Sequence, residues 1–218
     1  MTRIKKLNPK DTGLDKKELA ILKKLSTPIK IQDFLDAMPL NFETKGETYM
    51  SPRRVLKENR CHCFEGALLA ALALWLHGEK PLLLDLQTTE GDDHIVALYQ
   101  RNGYWGGISK TNHSDLRFRD PVYKTIRELA LSYFHEYFNL KSGIKILENY
   151  SVPFDLRRLG TKWIIEEEDM HDLAVALDDT AHHSLLPKEN RRYVRKADSM
   201  EMRAGNLIDW NRNNTRNM

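Results

Sequence analysis

The sequence predicts an α+β fold in which one buried helix packs on an antiparallel sheet. Residues 63–77 are apolar on nearly every side, so we expect a helix in the interior of the protein. Three strands are predicted directly after it, at residues 80–88, 94–100 and 104–109. The dipeptide Asn102-Gly103 between the last two is typical of a tight β-hairpin turn. Strands in this order form an antiparallel sheet that can cover the preceding helix.

The composition is that of a globular protein. The chain has 218 residues, of which 41% are hydrophobic and 30% are charged. The formal net charge is only +3, so we expect no nucleic-acid partner. The longest apolar run, residues 67–76, is shorter than the roughly 20 residues of a membrane span, and no signal peptide is apparent. We therefore expect a cytoplasmic protein without membrane contact and with reduced cysteines, whose oligomeric state the sequence does not indicate.

Shorter helices are predicted before the apolar one. Thr27-Pro28 and Ser51-Pro52 each place an N-cap residue before a proline at the first helical position. Residues 14–25 carry leucines at helical spacing and predict another amphipathic helix.

The chain divides into a core and an extension. Residues 1–140 are expected to form the core with its N-terminal helices. Residues 141–218 are expected to form a helical C-terminal extension packed on the same core, with a helix from about Glu166. Within the core, residues 121–138 predict a long amphipathic helix that begins at Pro121.

Both cysteines precede the apolar helix, in the segment NRCHC. Cys63 falls in the first turn, where the helix dipole and free N–H groups stabilise a thiolate and can hold an oxyanion. His94 begins the strand at 94–100, and a strand packed on the helix can bring its end to the helix start. Cys63 is therefore the candidate nucleophile and His94 the candidate base. Glu65, one turn into the helix, is expected to stabilise the helix start electrostatically; the alternative is that it lies near the site and disfavours the thiolate.

The order and spacing of these residues resemble the transglutaminase-like superfamily, a papain-related fold of cysteine enzymes. The shared pattern places Ala67 four residues and Gly78 fifteen residues after Cys63, and it continues in the hairpin HIVALYQRNGYWGGIS. The resemblance covers about residues 50–112 and implies a transglutaminase-like/papain-like core with Cys63, rather than Cys61, as nucleophile. The segments GISKTNH, RFRDPVY and LALSYFHEYF resemble a bacterial branch of the same superfamily.

The third member of the site departs from that pattern. The resemblance implies an aspartate four residues after Trp105, where this chain has Ser109. A serine can accept a hydrogen bond from imidazole but cannot offset the charge of an imidazolium. Asn112 is the favoured replacement, because it would reproduce the Cys-His-Asn arrangement of papain-like enzymes. Other acids that lie near in sequence are Asp92, Asp93, Asp115 and Asp120.

A zinc site is the other chemical interpretation of the cysteine segment. Its ligands would be Cys61, His62, Cys63 and either His94 or His113. The one-residue gap between the cysteines is shorter than the spacing usual in zinc sites, and no second ligand pair is present. We therefore expect no metal and no cofactor.

The expected function is a cysteine-dependent hydrolase or acyltransferase, similar to a peptidase or amidase, with a peptide, amide or other acyl substrate. Tyr104 and Trp105 are candidates for the substrate groove, although aromatic residues there can also simply pack the hairpin. Because Ser109 replaces the acid, the alternative is a binding or scaffold protein that retains the fold without turnover.

Overall fold

The structure is a computed structural model that describes residues 4–208. Its fold is mixed α+β with one seven-stranded antiparallel sheet. The strands are β1 (Leu82–Thr88), β2 (His94–Arg101), β3 (Tyr104–Ile108), β4 (Arg119–Tyr123), β5 (Leu147–Ser151), β6 (Phe154–Asp155) and β7 (His182–Ser184). Their order across the sheet is β4-β3-β2-β1-β5-β7, and β6 pairs with β1.

Most helices lie before the first strand, and the rest follow β4. The α-helices are α1 (Lys16–Lys24), α2 (Pro28–Ala37), α3 (Pro52–Glu58), α4 (Cys63–Leu76), α5 (Ile126–Phe134), α6 (His171–Asp178) and α7 (Ser199–Gly205). Short 3-10 turns occupy Pro9–Asp11, Leu156–Leu159, Lys162–Ile164 and Lys188–Tyr193. No helix within residues 4–208 combines the length and the apolar character needed to cross a bilayer.

The apolar helix is α4, and it lies in the larger of two hydrophobic cores. It packs on β2 and is covered by α1, α2 and α3. Alternate residues of β2 separate the cores: Ala97 and Tyr99 belong to the α4 side, whereas Val96 and Leu98 belong to a smaller core beneath α5. The predictions of an interior helix, an antiparallel sheet and an α+β fold are confirmed.

The long helix predicted at 121–138 is wrong in its first part. Residues Arg119–Tyr123 form β4, and α5 begins only at Ile126, where the Thr125 hydroxyl accepts a hydrogen bond from the Glu128 backbone N–H. Pro121 is tolerated in β4 because this strand pairs only with β3, and an edge strand leaves part of its N–H groups without a sheet partner.

The description of the region after residue 140 as helical is also wrong, because β5, β6 and β7 belong to the sheet. β5 pairs directly with β1. The expected helix from Glu166 begins instead at His171, after a 3-10 turn that buries Trp163. The region does pack on the shared core: Phe154 and Leu177 contact the α4 cluster.

Candidate active site

Cys63 is the first residue of α4, and its sulfur faces a cavity. The helix start is fixed by Glu65, whose carboxylate accepts a hydrogen bond from the His62 backbone N–H at 2.9 Å. Gly66 in the same turn permits the close approach of Lys110, because a Cβ at Gly66 would lie 2.8 Å from the Cβ of Lys110. The sequence thus presents the thiol at the tip of an otherwise buried helix.

His94 lies beside Cys63 and is oriented by Ser109. The Nε2 atom of His94 is 2.7 Å from the Ser109 hydroxyl, and that hydroxyl donates its own hydrogen to the Leu116 carbonyl at 2.6 Å. Ser109 can therefore only accept from His94, which places a proton on Nε2 and leaves Nδ1 for the cysteine. His94 and Ser109 are 4% and 1% exposed, so water does not compete for these bonds.

Ser109 itself is held by the side chain of Gln32 on α2. The amide of Gln32 donates to the Ser109 carbonyl at 2.7 Å and accepts from the Ser109 N–H at 3.0 Å. This paired contact fixes the backbone just after β3, and so fixes the hydroxyl that orients His94.

A second imidazole, His62, approaches the same sulfur from the other side. Its Nδ1 atom is 4.0 Å from the sulfur of Cys63. Its Nε2 atom lies 2.8 Å from the Thr48 carbonyl and 3.3 Å from a carboxylate oxygen of Glu65. Both of these partners only accept hydrogen bonds, so Nε2 carries a proton.

Glu65 is fully buried and satisfied by a network of donors. Besides the His62 backbone, it accepts from the Thr48 hydroxyl at 2.8 Å, the Met50 N–H at 3.1 Å and the Asn41 amide at 3.2 Å. Burial alone would raise the pKa of Glu65, but the hydrogen bond and charge of His62 outweigh it and lower the pKa. The carboxylate is therefore ionised at neutral pH.

From the sequence, His62 was considered only as a zinc ligand, and no contact between His62 and Glu65 was predicted. The pattern that indicates their contact is the acid three residues after the N-cap position, which is the spacing of a capping box.

The two imidazoles make Cys63 acidic. Burial by itself would raise the pKa of the Cys63 thiol, but hydrogen bonds and positive charge from His62 and His94 outweigh it and lower the pKa to about 5. Burial would lower the pKa of His62, yet its contacts with Cys63 and Glu65 raise it to about 11. At neutral pH the arrangement holds a thiolate beside an imidazolium.

Cys61 has the opposite environment. It is fully buried, and burial raises the pKa of its thiol to about 12. A thiol that stays protonated is neither a nucleophile nor a good zinc ligand.

Two cavities meet at Cys63. One has a volume of about 660 Å3 and the other about 430 Å3, and both are lined by Cys63 and His62. His94 lines the larger cavity. Acidic side chains dominate the smaller cavity, namely Glu43, Glu47, Asp85, Asp92, Asp93 and Asp178. The thiolate is therefore accessible from a strongly acidic groove.

Asn112 does not take the position that the sequence analysis favoured for it. It lies in the larger cavity, but one nitrogen of His94 faces the sulfur and the other is bonded to Ser109, so no ring nitrogen remains for Asn112. Asp92 and Asp115 also line the larger cavity, but the same two contacts of His94 leave no ring nitrogen for them. Asp93 accepts from the Thr88 N–H at 2.7 Å, and Asp120 is exposed on β4.

Tyr104 and Trp105 lie away from both cavities, contrary to the expectation that they line the substrate groove. Trp105 pairs with Gln100, six residues along β2 from His94, which corresponds to about 20 Å. The hairpin turn points to the opposite end of the sheet from the site. Trp105 packs instead against the smaller core, and Tyr104 is exposed.

Comparison with known proteins adds no relative to this description. No protein-family model matches the chain, and no curated protein has significant sequence similarity to it.

Proposed function

We propose that this protein is a cysteine-dependent hydrolase or acyltransferase with a transglutaminase-like core, in which Cys63 attacks the carbonyl carbon of an amide or ester. The observation that carries the proposal is the convergence of two imidazoles on one sulfur at the start of a buried helix. A structural cysteine has no need of two buried cationic partners, since free cysteines usually behave as small apolar side chains.

In the first step the Cys63 thiolate forms a bond to the carbonyl carbon, and the carbonyl π electrons move to the oxygen. The first-turn N–H groups of α4, which include that of Cys63, have no partners within the helix and can hold this oxyanion. His94 enters this step with a proton on Nδ1, which it has taken from the Cys63 thiol. When the tetrahedral intermediate collapses, the bond from the carbonyl carbon to the leaving amine or alcohol breaks, and the leaving group takes that proton. A thioester on Cys63 remains.

In the second step His94 removes a proton from water or from an acceptor amine, which attacks the thioester. The thiolate leaves and is again stabilised by His62. Ser109 keeps His94 in the required tautomer, because its hydroxyl can only accept from Nε2. We favour water as the acceptor because it is always present.

The charge of the groove bears on the substrate class. Carboxylates surround the thiolate, so an anionic acyl group would be repelled, whereas neutral or basic peptides and amides would be accepted. This supports a peptide or amide substrate without acidic groups next to the scissile bond.

The proposal is tested by alkylation of the full-length protein with iodoacetamide across a pH series, with each cysteine quantified by mass spectrometry. We expect Cys63 to be labelled with a midpoint near its pKa of about 5, and Cys61 to remain unlabelled in the folded protein. A Cys61→Ala variant serves as the matched control and should retain the same profile.

Turnover is tested separately with p-nitrophenyl acetate, which can acylate a reactive thiol. We expect release of nitrophenol and an acetyl group on Cys63, both of which a Cys63→Ala variant should lack. A Cys63 profile with its midpoint near the ~8.5 of an ordinary thiol would reject the enzyme and leave a scaffold protein of the same fold.

A further inference from the structure

Three carboxylates from separate elements meet at the wall of the smaller cavity. Asp85 lies on β1, Asp93 immediately precedes β2, and Asp178 is the last residue of α6. Each offers a carboxylate oxygen, and these three oxygens lie within 4.8 Å of one another. The three residues lie up to 93 positions apart in the chain (85 to 178) and come together through the pairing of β1 with β2 and the packing of α6.

Asp85 supplies the second observation that points to a ligand. Its side chain is buried, with 2% of the residue exposed, and it borders the cavity. Among the residues that the structure describes, its Oδ1 atom has no hydrogen-bond partner, and its Oδ2 atom lies 3.1 Å from Nε2 of His182 on β7. A buried carboxylate oxygen without a partner is unfavourable, and a bound cation would remove this cost.

The other two carboxylates can each accept further contacts. Asp93 accepts from the Thr88 N–H at 2.7 Å, and Asp178 accepts from the Gln87 amide at 3.2 Å. Within residues 4–208, no lysine or arginine forms an ion pair with any of the three acids. The negative charge of the cluster is therefore opposed only by His182.

We propose that Asp85, Asp93 and Asp178 form a binding site for one divalent cation of the hard, oxygen-preferring class, with Ca2+ as the best fit. Oxygens no more than 4.8 Å apart lie close enough for one ion to contact all three after a small adjustment. The cluster combines a buried, a half-buried and an exposed carboxylate, and this irregular set suits the flexible coordination of Ca2+ better than the near-ideal octahedron that Mg2+ requires. Carboxylate oxygens are the ligands that such ions prefer, and water from the open cavity completes the coordination.

The cation adds a contact between elements that are distant in sequence. It joins the end of α6, which lies after residue 140, to the two central strands of the sheet. Because it lies in the groove that also contains Cys63, it also reduces the negative charge next to the thiolate. The proposal does not depend on turnover, since none of its ligands takes part in the proposed chemistry.

The test is calorimetric titration of chelator-treated, full-length protein with CaCl2, with thermal unfolding as a second readout. We expect binding of one equivalent and a rise in Tm with Ca2+ concentration, since a ligand of the folded state stabilises it. The Asp178→Asn variant should bind Ca2+ at least about tenfold more weakly, because a direct ligand is lost. Asp178 is exposed, so this change should leave the fold intact.

The matched control is Asp179→Asn, which removes the neighbouring exposed acid that lies outside the cluster. It should bind Ca2+ within about twofold of the unmodified chain, as expected for a screened surface charge. Absence of heat and of any Tm change at millimolar Ca2+ would overturn the proposal. So would binding that Asp178→Asn leaves unchanged, which would indicate that Ca2+ binds elsewhere on the acidic surface.

Discussion

The two imidazoles beside Cys63 differ in what lies behind them. Behind His62 are a backbone carbonyl and the buried carboxylate of Glu65, which hold the ring as a cation. Behind His94 is the hydroxyl of Ser109, which orients the ring without adding charge. One ring therefore has a negative charge behind it, whereas the other is held by an uncharged hydrogen-bond partner.

This difference indicates that two histidines share the tasks that one histidine performs in a Cys-His-Asp arrangement. His62 helps to lower the pKa of Cys63 and so stabilises the thiolate, while its own high pKa makes it a poor proton shuttle at neutral pH. His94 has no carboxylate partner and is better suited to proton transfer. The acid that the resemblance implies after β3 is therefore not simply missing, because Glu65 provides a carboxylate on the opposite side of the sulfur.

The largest expected effect is on turnover, and it distinguishes the role of His94 from that of His62. His94→Gln should lower the rate of p-nitrophenyl acetate hydrolysis by about 10²- to 10⁴-fold, the usual contribution of a general acid–base group. The alkylation midpoint of Cys63 should stay well below that of an ordinary thiol, because His62 remains. His113→Gln, in the same cavity but without a contact to the sulfur, is the control. Equal losses in both variants would contradict the assignment.

The next effect concerns reactivity of the thiol. His62→Gln should raise the pKa of Cys63 and slow its alkylation at pH 6 by about tenfold or more, because the thiolate fraction falls. The reaction at pH 10, where any cysteine is ionised, should change little. The measurement is the ratio of the iodoacetamide labelling rates at the two pH values. If this ratio is the same in the variant and in the unmodified chain, His62 does not lower the pKa of Cys63.

Stability against pH gives a third, smaller effect. The ordinary pKa values are 9.0 for the thiol and 6.5 for the imidazole, whereas the folded values are about 5 for Cys63 and about 11 for His62. Between 6.5 and 9.0 the pair binds one proton in either state, so its stabilising contribution is complete and constant. Below 6.5 the unfolded chain binds the extra proton, and the contribution is lost towards pH 5.

Above 9.0 the unfolded chain has lost both protons while the folded pair keeps one, so the contribution is lost again towards pH 11. The free energy of unfolding by urea, measured at several pH values, should therefore fall on both sides of a plateau. The difference between the unmodified chain and Cys63→Ala isolates the pair from other titrating groups. A difference that rises steadily with pH would show that no ion pair forms.

The smallest expected effects come from Ser109, the uncharged partner of His94. Ser109→Ala should lower turnover only several-fold, about the value of one hydrogen bond, and leave the Cys63 pKa low. Ser109→Asp should not restore a working site, although the resemblance implies an aspartate at this position. A carboxylate has no hydrogen for the Leu116 carbonyl, and two facing buried acceptors should cost about 1–3 kcal/mol of stability.

The matched control for this substitution is Ser114→Asp. Ser114 also donates to a backbone carbonyl, that of Ala204 at 2.7 Å, but it is exposed, so water can replace the lost bond. Its Tm should change little. If Ser109→Asp is as stable as the unmodified chain, the hydroxyl does not bridge His94 and Leu116 as described.

Much of the site could be predicted because its chemistry coincides with ends of elements. Cys63 begins an apolar helix and His94 begins an alternating strand, and both starts are visible in the sequence. The role of Ser109 as the partner of His94 was less visible. It depends on a contact with Leu116, seven residues further on in an irregular loop, for which no periodic pattern exists.

The elements that the sequence predicted wrongly were missed for a different reason. β4, β5 and β7 are short and polar, and they form because the central strands offer free edges rather than because of their own pattern. Trp105 was misplaced because aromatic residues signal either a groove or packing, and only the length of β2 decides which.

The burial of α4 has a consequence for how the protein would lose its reactivity. Residues 68–73 are entirely shielded from solvent, so their backbone amides can exchange hydrogen only when the surrounding layers open. Cys63 begins the same helix, so its position depends on this shielded segment. On heating, reactive thiol should therefore disappear together with the cooperative loss of structure, without an earlier phase in which the protein is folded but inert.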